Sequence, residues 1–280
     1  MNAAAARSAL LGVARLLTPP IVPALLRRVG GRAAPLHEWE YLGSMWPTAT
    51  SHRGWNVASV VDAQAARVPE LRDRLTRADR AVSDDLATHN TMMSFAYALG
   101  RSAVNSSKVS VLDWGGGLGQ YALLAHALYP TVDLDYNCRD LPLMAERGPA
   151  VAPGVTFHAN DTTAFARPYD LVIASSSLQY VEAWRGQAAA LAGVTARFLL
   201  VTRQPIAMTT PSFTIVQRPS RHGYDTEYAG WVLNRSELVS TVEEAGLRLR
   251  REFMIGEGAV VNGAPEPVRY RGFLFERVPS

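Results

Sequence analysis

The chain has 280 residues, 48% of them hydrophobic, and one cysteine, Cys138. A chain of this length buries a large core without crosslinks, an internal disulfide is excluded, and no Cys/His spacing suits a zinc framework, so no metal site is expected. Net charge is +3 and the pI is about 9.2; the cations are arginines apart from Lys108, and they are scattered rather than gathered into the basic stripe that nucleic-acid binding needs.

Residues 3–26 are apolar, but Arg7 and Arg15 interrupt them and Pro19, Pro20 and Pro23 break any helix. They match neither a spanning helix nor a signal peptide. Residues 1–35 are therefore expected to dock on their own domain or a partner, with peripheral membrane contact as the alternative. The lone cysteine suits a reducing, cytoplasmic setting. Residues 36–55 read as irregular and aromatic, with Trp39, Tyr41, Trp46 and Trp55 either lining a pocket or packing a cap. Val57, Val60, Val61 and Ala65 have helical spacing, and a helix over 56–79 is expected to break in two at Pro69. Ser83, followed by Asp84-Asp85, is a candidate N-cap for a helix reaching about Leu99.

The pattern then changes. Strands are expected at 109–112, 131–137, 155–158, 169–174 and 197–202, with helices at 120–128 and 183–191 between them. That alternation implies parallel βαβ units. Residues 203–233, rich in Pro, Thr, Ser and aromatics, read as a lid insertion. A helix at 236–245 stops at Gly246, and 247–253 with 270–275 forms a closing antiparallel pair. The expected organisation is an N-terminal segment and helical cap over 1–100 and a ligand-binding α/β domain over 101–280.

Asp113-Trp114-Gly115-Gly116-Gly117-Leu118-Gly119 falls where a strand ends and a helix begins. Glycines there allow a tight turn and close approach of a ligand to the backbone, and the helix start offers unpaired N–H groups. The phosphate loop of nucleotide hydrolases is excluded, since its lysine is missing. A dinucleotide register fits only as Gly117, Gly119 and Ala122, which leaves Gly115 and Gly116 unexplained. The pattern Asp-x-Gly-x-Gly-x-Gly fits every glycine except the extra Gly116, and its acid two residues ahead of the first glycine is typical of S-adenosylmethionine binders. Asp140 lies 21 residues past Gly119, the distance at which an acid meets ribose hydroxyls, and Leu141 follows it; Asp133 and Asp135 compete from within the strand. Asn160 and Asp161 follow the third strand, with Asp161 a candidate for the adenine amino group. Ser175 and Ser176 are expected on the floor of the same crevice, with Gln179 and Tyr180 facing the substrate.

On these residues the chain resembles the class I S-adenosylmethionine-dependent methyltransferases. Residues 112–119 and Asp140-Leu141-Pro142 are similar to blocks of O-methyltransferases. Further blocks, at Pro19-Pro20, Trp39-Glu40-Tyr41, Gly54-Trp55, Ser176 to Tyr180 and Leu200 to Arg203, resemble methyltransferases of the LIC12133 type. The resemblance implies a seven-stranded Rossmann-like α/β fold with S-adenosylmethionine as cofactor and a role in glycan or natural-product biosynthesis.

The chain departs from plant-type O-methyltransferases in having Gln179 where a histidine base is usual, and no histidine follows until His222. Glutamine cannot act as a general base, so His222 in the 203–233 insertion is the candidate base. His158 reads as structural, and Arg203, Arg218 and Arg221 are candidates for holding an anionic substrate. The expected activity is methyl transfer to a small-molecule or sugar acceptor. A catalytically silent S-adenosylmethionine or nucleotide binder serving as a partner subunit is the first alternative, and an NAD-type oxidoreductase the second.

Overall fold

The computed structural model describes residues 37–47, 54–76, 85–219 and 224–278. The N-terminal segment 1–35, Ser83, Arg221 and His222 lie outside the described residues.

Five strands run parallel in the order β4 (Thr156–His158), β3 (Asp133–Arg139), β2 (Lys108–Trp114), β5 (Tyr169–Ser175) and β6 (Thr195–Ala207). Antiparallel β10 (Val268–Arg277) pairs with β6, and β9 (Leu247–Ala259) pairs with β10. These seven strands form the expected Rossmann-like α/β sheet, including its closing antiparallel pair.

The central strands β5 and β6 carry continuous apolar runs, Leu171 to Ala174 and Phe198 to Val201, because both of their faces are covered. Val109, Val111, Leu171, Ile173, Phe198 and Leu200 pack under α2 (Leu86–Ala103) and α3 (Gln120–Leu128). The alternate residues Leu112, Trp114, Val172, Ala174, Leu199 and Val201 pack under α6 (Trp184–Gly193) and α7 (Arg235–Glu244). The period-two alternation of strand side chains thus divides each run between two cores.

Four local expectations are corrected. Helix α1 (Ala58–Thr76) runs unbroken through Pro69, which lies on its exposed face, where water can satisfy the carbonyl that proline leaves unpaired. The N-cap of α2 is Asp85, whose carboxylate accepts from the N–H groups of Ala87 and Thr88, and the helix runs on to Ala103. Residues 39–43 form a strand, β1 (Trp39–Gly43). The 203–233 segment is not a separate lid: β6 continues to Ala207, and β7 (Phe213–Gln217) and β8 (Tyr228–Asn234) form an antiparallel pair between β1 and the end of β6. The turn residues that suggested a loop flank two short strands, and the β1 pairing partner lies far away in sequence.

Helix α1 packs on α3 and on α4 (Pro142–Val151) through a small cluster of Val60, Val61, Leu118, Met144 and Tyr224. That contact lays the segment 54–64 across the carboxyl ends of the parallel strands.

Candidate functional site

Register fixes the site. Trp114 pairs with Arg139 on one side and Ala174 on the other, and Ser175 pairs with Thr202. The carboxyl ends of β3, β2, β5 and β6 therefore bring Asp140, Gly115, Ser175 and Thr202 into one row, with Ser176 and Arg203 one residue beyond it. A cavity of about 850 Å³ lies along that row. Ligands of open α/β sheets bind at such an edge.

The glycine loop opens one end. Gly115, with φ +74°, donates its N–H to the Arg139 carbonyl at 2.7 Å, and a Cβ there would lie 2.4 Å from the Ser177 Cβ. At Gly116 a Cβ would lie 2.5 Å from the Asp113 Cγ and 2.7 Å from the Cys138 Sγ. Gly115, Gly116 and Gly117 line the cavity. Gly119 does not; it starts α3 in the left-handed conformation and packs toward Ala152 and Phe157.

Asp140 and Leu141 are on the cavity wall. One Asp140 oxygen accepts the Gly117 N–H at 2.7 Å and the other accepts the Leu141 N–H at 2.6 Å. The acid thus ties the loop to the end of β3 while each oxygen keeps lone pairs for a ligand. Burial raises its pKa despite the two N–H donors and nearby Arg139. Asp133 and Asp135, its competitors, pair instead with Lys108 at 3.6 Å and Arg167 at 2.6 Å.

Asp113 is beneath the loop, off the cavity wall. It is fully buried and accepts from the Tyr136 hydroxyl at 3.1 Å, and its Oδ1 has no hydrogen-bond partner among the described residues. Burial pushes its pKa up to about 7. Its contact is with the underside of the turn, a supporting position rather than a ligand-facing one.

Asp161 is on the wall and already engaged: the Trp114 indole donates to its Oδ1 at 2.9 Å, and Arg139 pairs with it at 2.5 Å while lying over the Trp114 ring. Asn160 is off the wall, spent on capping the short helix α5 (Asp161–Ala164) through the Thr163 N–H. His158 bonds Asn137 and Thr163, a structural position in line with its reading.

Ser175 and Ser176 line the floor. Ser175 shares a 2.8 Å hydrogen bond with the Tyr121 hydroxyl. Gln179 is buried off the wall, donating to the Ser176 Oγ at 3.0 Å, whereas Tyr180 faces the cavity and donates to Gln217 at 3.0 Å. Tyr180 belongs to a group of rings at the far end: Trp55 stacks on Tyr228 at 4.3 Å and lies 5.0 Å from Tyr180 and 6.0 Å from Tyr224. Trp55 therefore does both things the sequence suggested: it packs the cap and lines the cavity. Trp46 lines the cavity as well; Trp39 and Tyr41 do not.

Of the three arginine candidates, Arg203 lines the cavity. Arg218 is spent on Glu40 at 2.9 Å and Glu227 at 3.2 Å. Gln64, Tyr121, Arg139 and Tyr228 are wall residues that sequence reasoning did not single out. Arg139 precedes Asp140 directly, so the acid itself was a pointer to it; the other three carry no local signal.

No family model matches the chain, and no curated protein matches it. Similar solved structures include the magnesium protoporphyrin IX methyltransferase of Synechocystis PCC 6803 with bound S-adenosylhomocysteine, 16% identical, covering 78% of this chain and 98% of that one at a TM-score of 0.47. The CcbJ methyltransferase of Streptomyces caelestis is 13% identical, with 67% and 90% covered and a TM-score of 0.45. A SAM-dependent methyltransferase of Methanosarcina mazei is 12% identical, with 62% and 95% covered and a TM-score of 0.48.

Proposed function

We propose that this chain is an S-adenosylmethionine-dependent methyltransferase acting on a small-molecule or sugar acceptor. The observation that carries the reading is the single cavity that runs from the glycine loop and Asp140 to an aromatic end lined by Trp55, Tyr180 and Tyr228. One end suits an adenosyl group and the other an acceptor, with no wall between them.

The residues present fit the cofactor. Side chains are missing from the loop at three successive wall positions, Gly115 to Gly117, and the Asp140 carboxylate stands beside them with lone pairs to spare. Leu141 and Met144 supply apolar wall, and Asp161 a further acceptor oxygen. In this assignment Asp140 accepts from the ribose hydroxyls, the loop backbone receives the amino-acid end, and Asp161 meets the adenine edge. When bound, the cofactor supplies a methyl group already activated as a sulfonium. The chain then has to position the acceptor and exclude water, and alignment alone supplies a large share of the acceleration. The aromatic group does the second task by burying the acceptor end.

Among the described residues no histidine lines the cavity. The Tyr121 and Tyr180 hydroxyls, pushed up to about 12 by burial, stay protonated at neutral pH and act as donors rather than bases. His222 remains the candidate base of the sequence reading. That no histidine lines the cavity among the described residues also favours a second reading, a silent S-adenosylmethionine binder that serves as a partner subunit.

Calorimetric titration with S-adenosylhomocysteine, with NAD as control, tests the proposal. Micromolar binding of the former alone supports it; binding of NAD alone overturns it. Methyl transfer to any acceptor in a screen with labelled S-adenosylmethionine then separates enzyme from silent binder. The finer LIC12133-type resemblance supports a glycan or natural-product acceptor. No helix among the described residues is long and apolar enough to cross a membrane; a cytoplasmic location, with peripheral membrane or partner contact through residues 1–35, belongs to the same proposal.

A further inference from the structure

We infer that Arg203 is the anchor for a planar carboxylate acceptor, so that the methyl group is delivered to an oxygen that is already ionised. This inference rests on the methyltransferase reading and names its substrate class.

Three observations converge on Arg203. The first is backbone geometry. Among the described residues only three other than glycine have positive φ, and two of them, Ser176 at 51° and Arg203 at 49°, line the cavity at the ends of neighbouring strands. They are joined by the Ser176 N–H donating to the Thr202 carbonyl at 2.9 Å. On the other side of β6 the register with β10 slips: Gln204 faces Arg271 and Val201 faces Phe273, so Thr202 and Arg203 together oppose Gly272. That is a bulge, a device that re-aims a side chain next to a site. An uncommon conformation for a long branched-headed side chain, held by both neighbouring strands, is the mark of a functional position.

The second observation is the way the guanidinium is held. Its Nε and Nη2 donate to the Glu257 Oε2 at 3.2 and 2.8 Å. Among the described residues Nη1 makes no hydrogen bond, while the side chain forms part of the cavity wall. Glu257 thus fixes the plane of the fork and leaves the Nη1 donors for a ligand, an arrangement matched to an oxyanion.

The third is the company it keeps. Arg203 shares its stretch of wall with the Tyr121 hydroxyl, which stays protonated at neutral pH and can donate to a ligand while accepting from Ser175, and with the rings of Tyr180, Tyr228 and Trp55. Of the other acids on the wall, Asp140 stands three strand spacings away, about 14 Å, Asp161 is paired with Arg139, and Glu182 is exposed to solvent. The aromatic end of the cavity therefore offers the Nη1 donors of Arg203, the Tyr121 hydroxyl and flat apolar walls, which together suit an aromatic or conjugated carboxylate. The chemistry balances without a base. The carboxylate oxygen forms the new bond to the methyl carbon with its own lone pair, the pair of the breaking carbon–sulfur bond stays on sulfur, and no proton is transferred.

The test is calorimetric titration of the protein, with and without saturating S-adenosylhomocysteine, using benzoate and its neutral counterpart benzamide. Benzoate is expected to bind at least tenfold tighter than benzamide in the wild type, the scale of a charge-assisted hydrogen bond. Arg203→Gln is expected to remove that preference while leaving affinity for S-adenosylhomocysteine within twofold. Arg203→Lys, which keeps the charge without the fork, is expected to fall between, and it serves with the wild-type ratio if the glutamine variant fails to fold. Benzoate binding no tighter than benzamide in the wild type, including binding of neither, overturns the inference. So does a preference that survives Arg203→Gln. Failure of S-adenosylhomocysteine to bind, with the benzoate preference intact in the unloaded protein, overturns the cofactor reading instead.

Discussion

At the glycine-loop end of the cavity, two short stretches, residues 114–117 and 139–141, supply most of the wall; at the aromatic end, Trp55, Tyr180, Arg203 and Tyr228 arrive from four separate stretches of chain. The first end is made by a turn. Its glycines are required by contacts within the turn and beneath it, from Ser177, Asp113 and Cys138, and Asp140 on the cavity wall is hydrogen-bonded to the same turn. The second end is made by packing. Trp55 is placed by the docking of α1, Tyr228 by the β7–β8 pair, and Arg203 by a bulge in β6. A turn-built site tolerates little change at any one position, whereas a packing-built site can change its side chains one at a time, which is how one scaffold accommodates many acceptors.

Substitutions should separate the two ends. The largest effect is expected at Gly116→Ala: its Cβ would sit inside contact distance of Asp113 and Cys138, both fully buried, so the turn has to move. Affinity for S-adenosylhomocysteine should fall at least a hundredfold and the melting temperature should drop. Near-normal binding in calorimetry would show that the loop is not rigid and would break the contrast.

Asp140→Ala comes next. Loss of its charge-assisted bonds should weaken S-adenosylhomocysteine binding by roughly 1 to 3 kcal/mol. Unchanged affinity would remove the ribose assignment.

Asp113 makes a pH-dependent contribution of comparable or smaller size. Its folded pKa of about 7 lies above the 3.8 of an exposed aspartate, so between those values the folded state holds the proton more firmly than the unfolded chain. Stability from this group is therefore full below about pH 4, declines as pH rises toward 7, and is flat above. Asp113→Asn should flatten that decline by about 1 to 4 kcal/mol, read from denaturant unfolding at pH 5 and pH 8. Equal slopes in the two proteins would mean that Asp113 is ionised in the fold.

The smallest effect is expected at Arg218→Ala. Its partners Glu40 and Glu227 are partly exposed, and such pairs contribute about 1 kcal/mol or less. Acceptor kinetics should not change. A raised KM would bring Arg218 into the aromatic end and enlarge it beyond Arg203.

The sequence by itself determined the parallel core, the boundaries of α3 at 120–128, the turn at 113–119 and the acid Asp140, because each depends on neighbours close in sequence: period-two apolar alternation, glycines at positive φ, and an acid one βα unit away. Only the tertiary structure decided that Asp113, Gly119, Asn160 and Gln179 face away from the cavity. Alternation and spacing place a residue on a strand or turn, but which side meets a ligand depends on what packs beneath, here Tyr136, Phe157, Thr163 and Ser176. It also decided that 203–233 extends the sheet and that Pro69 lies within a helix, since strand partners 170 residues or more apart, such as Tyr41 and Ile215, leave no local pattern. The aromatic end was invisible for the same reason: tertiary packing, not spacing along the chain, brings its side chains together.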